Sequence, residues 1–288
     1  MNWDSLWQPR SSCDAQCLPE PGSVPRAGAV RVAARLVAAT AVIACAVVTV
    51  PLVLPLSRTA RGNVLRLLAG AVLAALGVRH TLRGRVPRRG ALIVANHVSW
   101  LDVLVLLAHT PARLLAKREV RSWPVIGPLA AATGTVFVDR RRPRALPGTV
   151  AAVADALRAG DVVAVFPEGT TWCGRTGGHF RPAVFQAAVD AGAPVVPVAL
   201  RFTLAAGSDT TVAAFLGEDT LLASLRRVVA VRGLHVVVQA HPALHPIPGA
   251  SRRALARVAQ SVVHGPIRGS WTRGGPMAPP TVQDLRAA

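Results

Sequence analysis

Tyrosine is absent and aromatic residues make up only 4% of the chain, so the stacking platforms that read single-stranded nucleic acid are poorly supplied. Acidic residues are also scarce. The balance of 33 Lys+Arg against 14 Asp+Glu leaves a formal charge of +19, a field that favours membrane surfaces, nucleic acid or phosphorylated substrates. The basic residues are nearly all Arg and are scattered, which points to anionic lipid before nucleic acid. Cysteine is limited to four residues. Cys13 and Cys17 stand close together with no second Cys or His pair at zinc-ligand spacing, Cys45 lies in an apolar run, and Cys173 is left over. Neither a disulfide framework nor a metal site follows from that pattern, and a reducing compartment is the default. No Gly-x-Ser-x-Gly elbow is present, which argues against a serine hydrolase. No repeat recurs at a fixed period.

What the chain has in quantity is apolar residues, 51% of the total, with a mean hydropathy of +0.40. Its 288 residues suffice for one large domain or two small ones with a sizeable core. Residues 1–27, polar and rich in Pro and Gly, read as a disordered leader. They lack the basic start and immediate apolar core of a signal peptide. Leu36 to Leu56 is a run of 21 residues without charge, matching the roughly 20 needed to cross a bilayer as a helix. Arg26, Arg31 and Arg35 precede it and Arg58, Arg61 and Arg66 follow, a symmetry that assigns no orientation. The next apolar run, Leu67 to Val78, is too short to span and reads as interfacial. Residues 28–80 are thus expected to form a membrane-attached helical pair.

From about residue 81 to 265 strands and helices alternate. Strands are expected at His80–Gly84, Ala91–Ala95, Arg113–Ala116, Thr135–Val138, Val162–Phe166, Pro194–Leu200, Arg227–Val231 and His235–Gln239. Helices are expected at Ser99–Ala108, Pro124–Ala132, Ala145–Ala159, Pro182–Ala191, Thr220–Arg226 and Ser251–Val263. Continuous Val/Ala/Leu strands between helices imply an α/β fold with a largely parallel sheet flanked by helices. The two prolines of Ala193-Pro-Val-Val-Pro-Val198 demote that strand from a central position or place it at an edge. Residues 266–288, rich in Gly, Pro and Arg, read as a flexible tail.

The chain is organised around Ala91–Asp102. A buried strand ends at Ala95, Asn96 and His97 form a short loop, and a helix follows. Polar residues at strand ends face the crevice where α/β folds place ligands. Five residues of turn allow Asp102 to fold back onto the His97 ring, fix its tautomer and leave the other nitrogen free as a base. Ser99-x-x-Asp102 equally fits a capping box that starts the helix and does no chemistry. Other strand ends carry Arg140, a forked donor for phosphate, and Pro167-Glu168-Gly169, where glycine lets backbone N–H groups approach an anion. Lys117 adds a second positive charge. Each also has a plain reading, as a solvated charge run or an ordinary turn.

The ordered motifs Asn96-His-x-Ser-x-x-Asp102, Gly-x-x-Phe-x-x-Arg140, Phe-Pro-Glu-Gly-Thr170 and Val-Val-Pro-Val198 resemble the glycerolipid acyltransferase family, including its 1-acyl-sn-glycerol-3-phosphate acyltransferases. The resemblance covers roughly residues 60–265. It implies an acyltransferase domain over 81–265 that moves a fatty acyl group from acyl-CoA or acyl carrier protein to the hydroxyl of a lysophospholipid, most simply 1-acylglycerol-3-phosphate. It implies His97 as general base oriented by Asp102, no metal and no cofactor beyond the thioester donor, and a place at the cytoplasmic face of the cell membrane. Asn96, Ser99, Lys117, Arg140, Glu168, Gly169 and Thr170 would serve the acceptor, and Pro197 would belong to the motif near the acyl chain. Where the commonest family pattern has Arg after Pro-Glu-Gly-Thr170, this chain has Thr171. Either Arg175 or Arg181 could substitute, or the acceptor is another lyso-lipid such as lyso-ornithine lipid. An acyl-cysteine route through Cys173, a hydrolase and a non-catalytic anionic-lipid-binding module are the competing readings.

Overall fold

The computed structural model describes residues 9–140, 142–205 and 207–265. The expected tail at 266–288 therefore lies outside the described residues, as do the first eight of the leader. Seven strands form one sheet: β1 (Arg79–Arg83), β2 (Ala91–Ala95), β3 (Ala112–Lys117), β4 (Val136–Val138), β5 (Val162–Val165), β6 (Val195–Thr203) and β7 (His235–Ala240). Their order is β1-β7-β6-β2-β5-β3-β4, and every neighbouring pair is parallel except β6 with β7. The helices are α1 (Ala29–Val53), α2 (Arg58–Ala75), α3 (Leu101–His109), α4 (Ile126–Ala132), α5 (Leu146–Arg158), α6 (Phe185–Ala191), α7 (Leu221–Ala230) and α8 (Arg252–Val263).

Strands β2 and β5 are buried along their whole length, which is why both read as unbroken apolar runs without polar alternation. Alternate side chains serve opposite layers. Ala91, Ile93 and Ala95 join Leu73 of α2, Leu101 and Val105 of α3 and Val228 of α7. Leu92 and Val94 join Val153 and Leu157 of α5, Phe185 of α6 and Leu255 of α8. Two covered faces leave the ends of the central strands as the place where polar groups can gather.

Three expectations are corrected. The segment Arg227–Val231 is not a strand: its residues to Ala230 continue α7. Thr220 caps that helix by accepting the Ala223 N–H, and Ser224, Val228 and Val229 repeat at helical spacing into the core, overriding the local strand preference of a Val pair. The proline-bearing strand β6 is not an edge but lies between β2 and β7. Its ladder with β7 runs from Val198 onward, and at Pro197 only the carbonyl is engaged, by the His241 N–H at 2.9 Å, so no donor is missed. The leader, from residue 9 on, is packed rather than disordered. Ala27 N–H donates to Ala230 at 2.8 Å, Arg232 N–H donates to Pro25 at 2.8 Å, and Cys13 is 7% exposed. Backbone pairing and buried side chains fix it where composition alone suggested freedom.

The N-terminal helical pair is present as α1 and α2. At 1.5 Å per residue α1 is about 37 Å long, and it is apolar enough to cross a membrane, with mean hydropathy 2.5 over its best window. Val37, Val48 and Leu52 are largely exposed, an apolar surface that the other described residues leave uncovered. Pro51 sits in its last turn. Arg35, counted from the sequence as a flanking charge, instead turns inward and donates to the carbonyls of Val229 and Val231, each at 2.7 Å. That contact fastens α1 to the end of α7.

Candidate active site

Three backbone clamps hold the loop after β2. The Asn96 amide donates to Leu200 O at 3.0 Å and accepts the Leu200 N–H at 2.7 Å, so both its ends lock the loop to β6. His97 N–H donates to Glu168 Oε2 at 2.7 Å, and His97 O accepts the Trp172 N–H at 2.7 Å. The imidazole lies against Phe166, ring centroids 4.1 Å apart and planes 13° from parallel. Neither the main chain nor the ring plane of His97 is free to turn.

Its Nδ1 stands 2.9 Å from Asp102 Oδ2. The same carboxylate oxygen accepts the N–H groups of Val98 at 2.6 Å and Ser99 at 2.8 Å. Asp102 therefore starts α3 and holds the imidazole at once; the capping and orienting readings are both realised by one buried oxygen. A carboxylate acceptor fixes the proton on Nδ1 and leaves Nε2 as the basic nitrogen. The His97 side chain is 22% exposed and Asp102 is fully buried. Ser99 is also fully buried, its hydroxyl accepting the Leu101 N–H at 3.3 Å.

The second half of the site is the loop after β5. Glu168 is 3% exposed. Besides His97 it accepts the Gly178 N–H at 3.0 Å, and its Oε1 lies 3.2 Å from His264 Nε2 beyond the end of α8. Its carboxylate is turned into the protein, where it holds the His97 main chain, rather than out toward a head group. Gly169 adopts φ +77°, its N–H closes a tight turn onto Phe166 O at 3.0 Å, and its carbonyl accepts from Arg140 Nη1. A Cβ at this glycine would stand 2.6 Å from Pro9, so only glycine lets the leader cross here. Thr170 is half-buried beside it. Thr171 donates its hydroxyl to Phe215 O and is spent on the scaffold. Pro197 is buried within β6 opposite Val94.

Positive charge collects beside this loop. Desolvation, then the charge of Arg181, holds the Arg140 guanidinium below its usual range. Desolvation, then Arg140, does the same to the ammonium of Lys117, the only lysine in the chain. Arg181 is tied in by its N–H to Pro167 O at 3.0 Å, and its Nε lies 3.6 Å from the Cβ position of Gly169. Arg181 thus stands beside the Arg140 guanidinium, which in turn neighbours the Lys117 ammonium, and a bound anion would offset that repulsion. Cys173 is 2% exposed. Burial raises its pKa, but N–H groups of Thr176 and Arg175 outweigh that and bring it to about 7; the thiol nevertheless lies beneath the leader, out of reach of a lipid thioester.

A family model described as Acyltransferase matches residues 77–201, which contain β1 to β5, most of β6 and every candidate residue from Asn96 to Pro197. Over 173 residues the chain is 38% identical to the 1-acyl-sn-glycerol-3-phosphate acyltransferase of Neisseria meningitidis serogroup B, covering 59% of this chain and 68% of that protein. Over 192 residues it is 38% identical to the lyso-ornithine lipid O-acyltransferase of Pseudomonas aeruginosa, covering 66% of this chain and 72% of that protein. The chain belongs to the acyltransferase family. The fold of this acyltransferase is shared with the crystal structure of the 1-acyl-sn-glycerophosphate acyltransferase from Thermotoga maritima, at TM-score 0.64 and 21% identity over 81% of this chain and 92% of that one.

Sequence reasoning overlooked four of the acyltransferase's supporting groups. Phe166 reads in the sequence only as part of a motif, and its stacking on His97 needs the parallel pairing of β2 with β5. His264 and Pro9 reach the site from elements distant in sequence, and Trp172, next to Thr171, acts through its backbone N–H, which no residue type announces.

Proposed function

We propose that this acyltransferase moves a fatty acyl group from a thioester, acyl-CoA or acyl carrier protein, to the free hydroxyl of 1-acylglycerol-3-phosphate at a membrane surface. His97 Nε2 takes the hydroxyl proton as the oxygen attacks the thioester carbon. The new C–O bond forms, the C–S bond breaks, and the imidazolium returns the proton to the departing thiolate. Asp102 stays ionised throughout and stabilises the imidazolium. Positioned base catalysis of this kind supplies about 10²–10⁴-fold. The observation that carries the reading is the 2.9 Å pair between His97 Nδ1 and a buried carboxylate, with the imidazole itself partly open.

The head group belongs with Lys117, Arg140 and Arg181, whose mutual repulsion a phosphate would relieve. Arg181 takes the part of the arginine missing at Thr171. The uncovered apolar face of α1 supports a membrane-bound enzyme, since both lipids reach the site most readily from a bilayer. The cytoplasmic face fits because both thioester donors are cytoplasmic molecules. Asn96, Ser99 and Glu168 serve the reaction by holding His97 and its loop rather than by touching substrate.

One observation favours a second acceptor. Thr171 stands where an arginine is common, and the Pseudomonas relative is named for lyso-ornithine lipid. Membranes containing the full-length protein, given labelled acyl thioester with either lysophosphatidate or lyso-ornithine lipid, separate the two. Phosphatidate formed with lysophosphatidate supports the main reading. Product from lyso-ornithine lipid alone moves the acceptor and keeps the chemistry, and no transfer to either leaves a lipid-binding module.

A further inference from the structure

Three of the four cysteines, scattered in sequence, meet where the leader crosses the loop after Glu168. The sulfurs of Cys13, Cys17 and Cys173 all lie within 4.8 Å of one another. Cys13 and Cys173 are buried and Cys17 is half-buried. The two leader cysteines are the ends of one ordered turn. Asp14 caps the 3-10 turn Ala15–Cys17 by accepting the Gln16 N–H at 2.9 Å, and Cys17 N–H closes onto Asp14 O at 3.1 Å. Thr211 fixes the far side by donating to Cys17 O at 2.7 Å. Opposite them, Cys173 N–H donates to Cys13 Sγ at 3.4 Å. The Thr176 hydroxyl stands 3.5 Å from Cys13 Sγ and 3.7 Å from Cys173 Sγ.

We propose that Cys13, Cys17 and Cys173 form a zinc site that clasps the leader onto the acceptor loop. Thiolates at about 2.3 Å from a tetrahedral zinc lie roughly 3.8 Å apart. The three sulfurs are already gathered to within an ångström of that spacing, from two segments 156 residues apart in sequence, Cys17 to Cys173. An all-sulfur set of soft donors selects zinc over magnesium or calcium. The fourth position falls to a water or to the Thr176 hydroxyl. The thiols release their protons to solvent as the metal binds. The clasp's neighbour is Pro9, four residues before Cys13, which packs on Gly169; the metal therefore holds the leader in place over the loop that Arg140 also grips. Cys173 lacks any partner at zinc spacing in the sequence, and only the fold brings the leader to it.

The test is metal analysis of the full-length protein purified without chelators after zinc loading, alongside cobalt substitution. The expected result is about one zinc per chain, with a thiolate-to-cobalt charge-transfer band and tetrahedral d–d absorption. Cys45→Ser, altering an exposed cysteine on α1, should keep both signals. Cys13→Ser and Cys173→Ser should each weaken zinc binding at least tenfold. Substoichiometric zinc in wild-type protein whose Cys13, Cys17 and Cys173 all remain reactive alongside Cys45 would overturn the proposal, and so would a Cys173 disulfide found by peptide mass spectrometry in protein that binds no cobalt. Both readings come from the wild-type chain, so they stand even if a serine variant folds poorly.

Discussion

Replacing Asp102 by Asn removes a charge while leaving the shape of the side chain. All three donors converge on Oδ2: His97 Nδ1, Val98 N–H and Ser99 N–H. An asparagine carbonyl placed there keeps every one of these bonds, so the imidazole keeps its proton on Nδ1. The amide NH2 then occupies the position of Oδ1, which is buried and has no hydrogen-bond partner. Burying that donor unpaired costs about 1–3 kcal/mol, or about 2–4 °C of Tm per kcal/mol in a domain of this size. The variant is therefore expected to fold. What it loses is the anion beside the imidazolium. At about 4 Å and an effective dielectric of about 20 that attraction is about 4 kcal/mol, near a thousandfold in rate. The alternative amide orientation sets donor against donor, displaces the tautomer and costs about 10⁴. Initial rates of labelled acyl transfer, with Tm measured on the same preparation, are expected to show kcat down at least a hundredfold in a folded protein. A folded Asp102→Asn enzyme within tenfold of wild type would refute the orienting role and leave only the capping one. Asp102→Ala is less informative, because it strands two backbone N–H groups at about 1–3 kcal/mol each.

The other expectations follow from the same contacts. Glu168→Ala strips acceptors from His97 N–H and Gly178 N–H, a loss of about 2–6 kcal/mol that should appear as a lower urea midpoint together with a lower kcat; an unchanged midpoint would contradict the anchor role. Arg181→Ala is expected to raise the KM for a phosphate-bearing acceptor about tenfold or more while kcat falls little, since a charge-assisted bond is worth about 1.5–3 kcal/mol; steady-state kinetics at fixed donor would show it. Acid is expected to destabilise the fold. His109 and His80 share a hydrogen bond at 3.0 Å; burial, then His80 and Arg66, holds His109 down at about 4, and burial, then His235, lowers His80. The unfolded chain takes up these protons near pH 6.5 and the folded chain resists them, so stability is full above about 6.5 and is lost as pH falls toward about 4. Urea midpoints across that range test it, and His109→Gln should flatten the slope. Val48→Arg, on the uncovered face of α1, is expected to weaken liposome binding about a hundredfold, given about 2.5–3.5 kcal/mol for an arginine in the apolar layer.

The parts of this molecule that could be read from its sequence are those whose cause is local. An unbroken apolar run announces β2, Gly192 in a left-handed turn ends α6, and the His97–Asp102 pair needs only one turn of chain. Parts that depend on what packs alongside were not legible in the same way. Val228 and Val229 look like a strand until the core shows which face they serve. Pro197 looks like an edge until the ladder with β7 is seen to begin one residue later. Glu168 reads as a head-group ligand because its motif is exposed in sequence, yet its oxygens serve backbone N–H groups brought by β2 and by the turn at Gly178. The leader's composition speaks for disorder, and its burial comes from partners some 160 residues away.

The central claim is that His97 is the base in acyl transfer, and His97→Ala tests it most directly. Its ring contributes stacking on Phe166 but no backbone bond, so the Glu168 and Trp172 clamps remain and the variant should fold. Single-turnover transfer from labelled acyl thioester to the acceptor found active is expected to slow about 10²–10⁴-fold, with the thioester still bound. Transfer within tenfold of wild type by a folded His97→Ala protein would contradict the account.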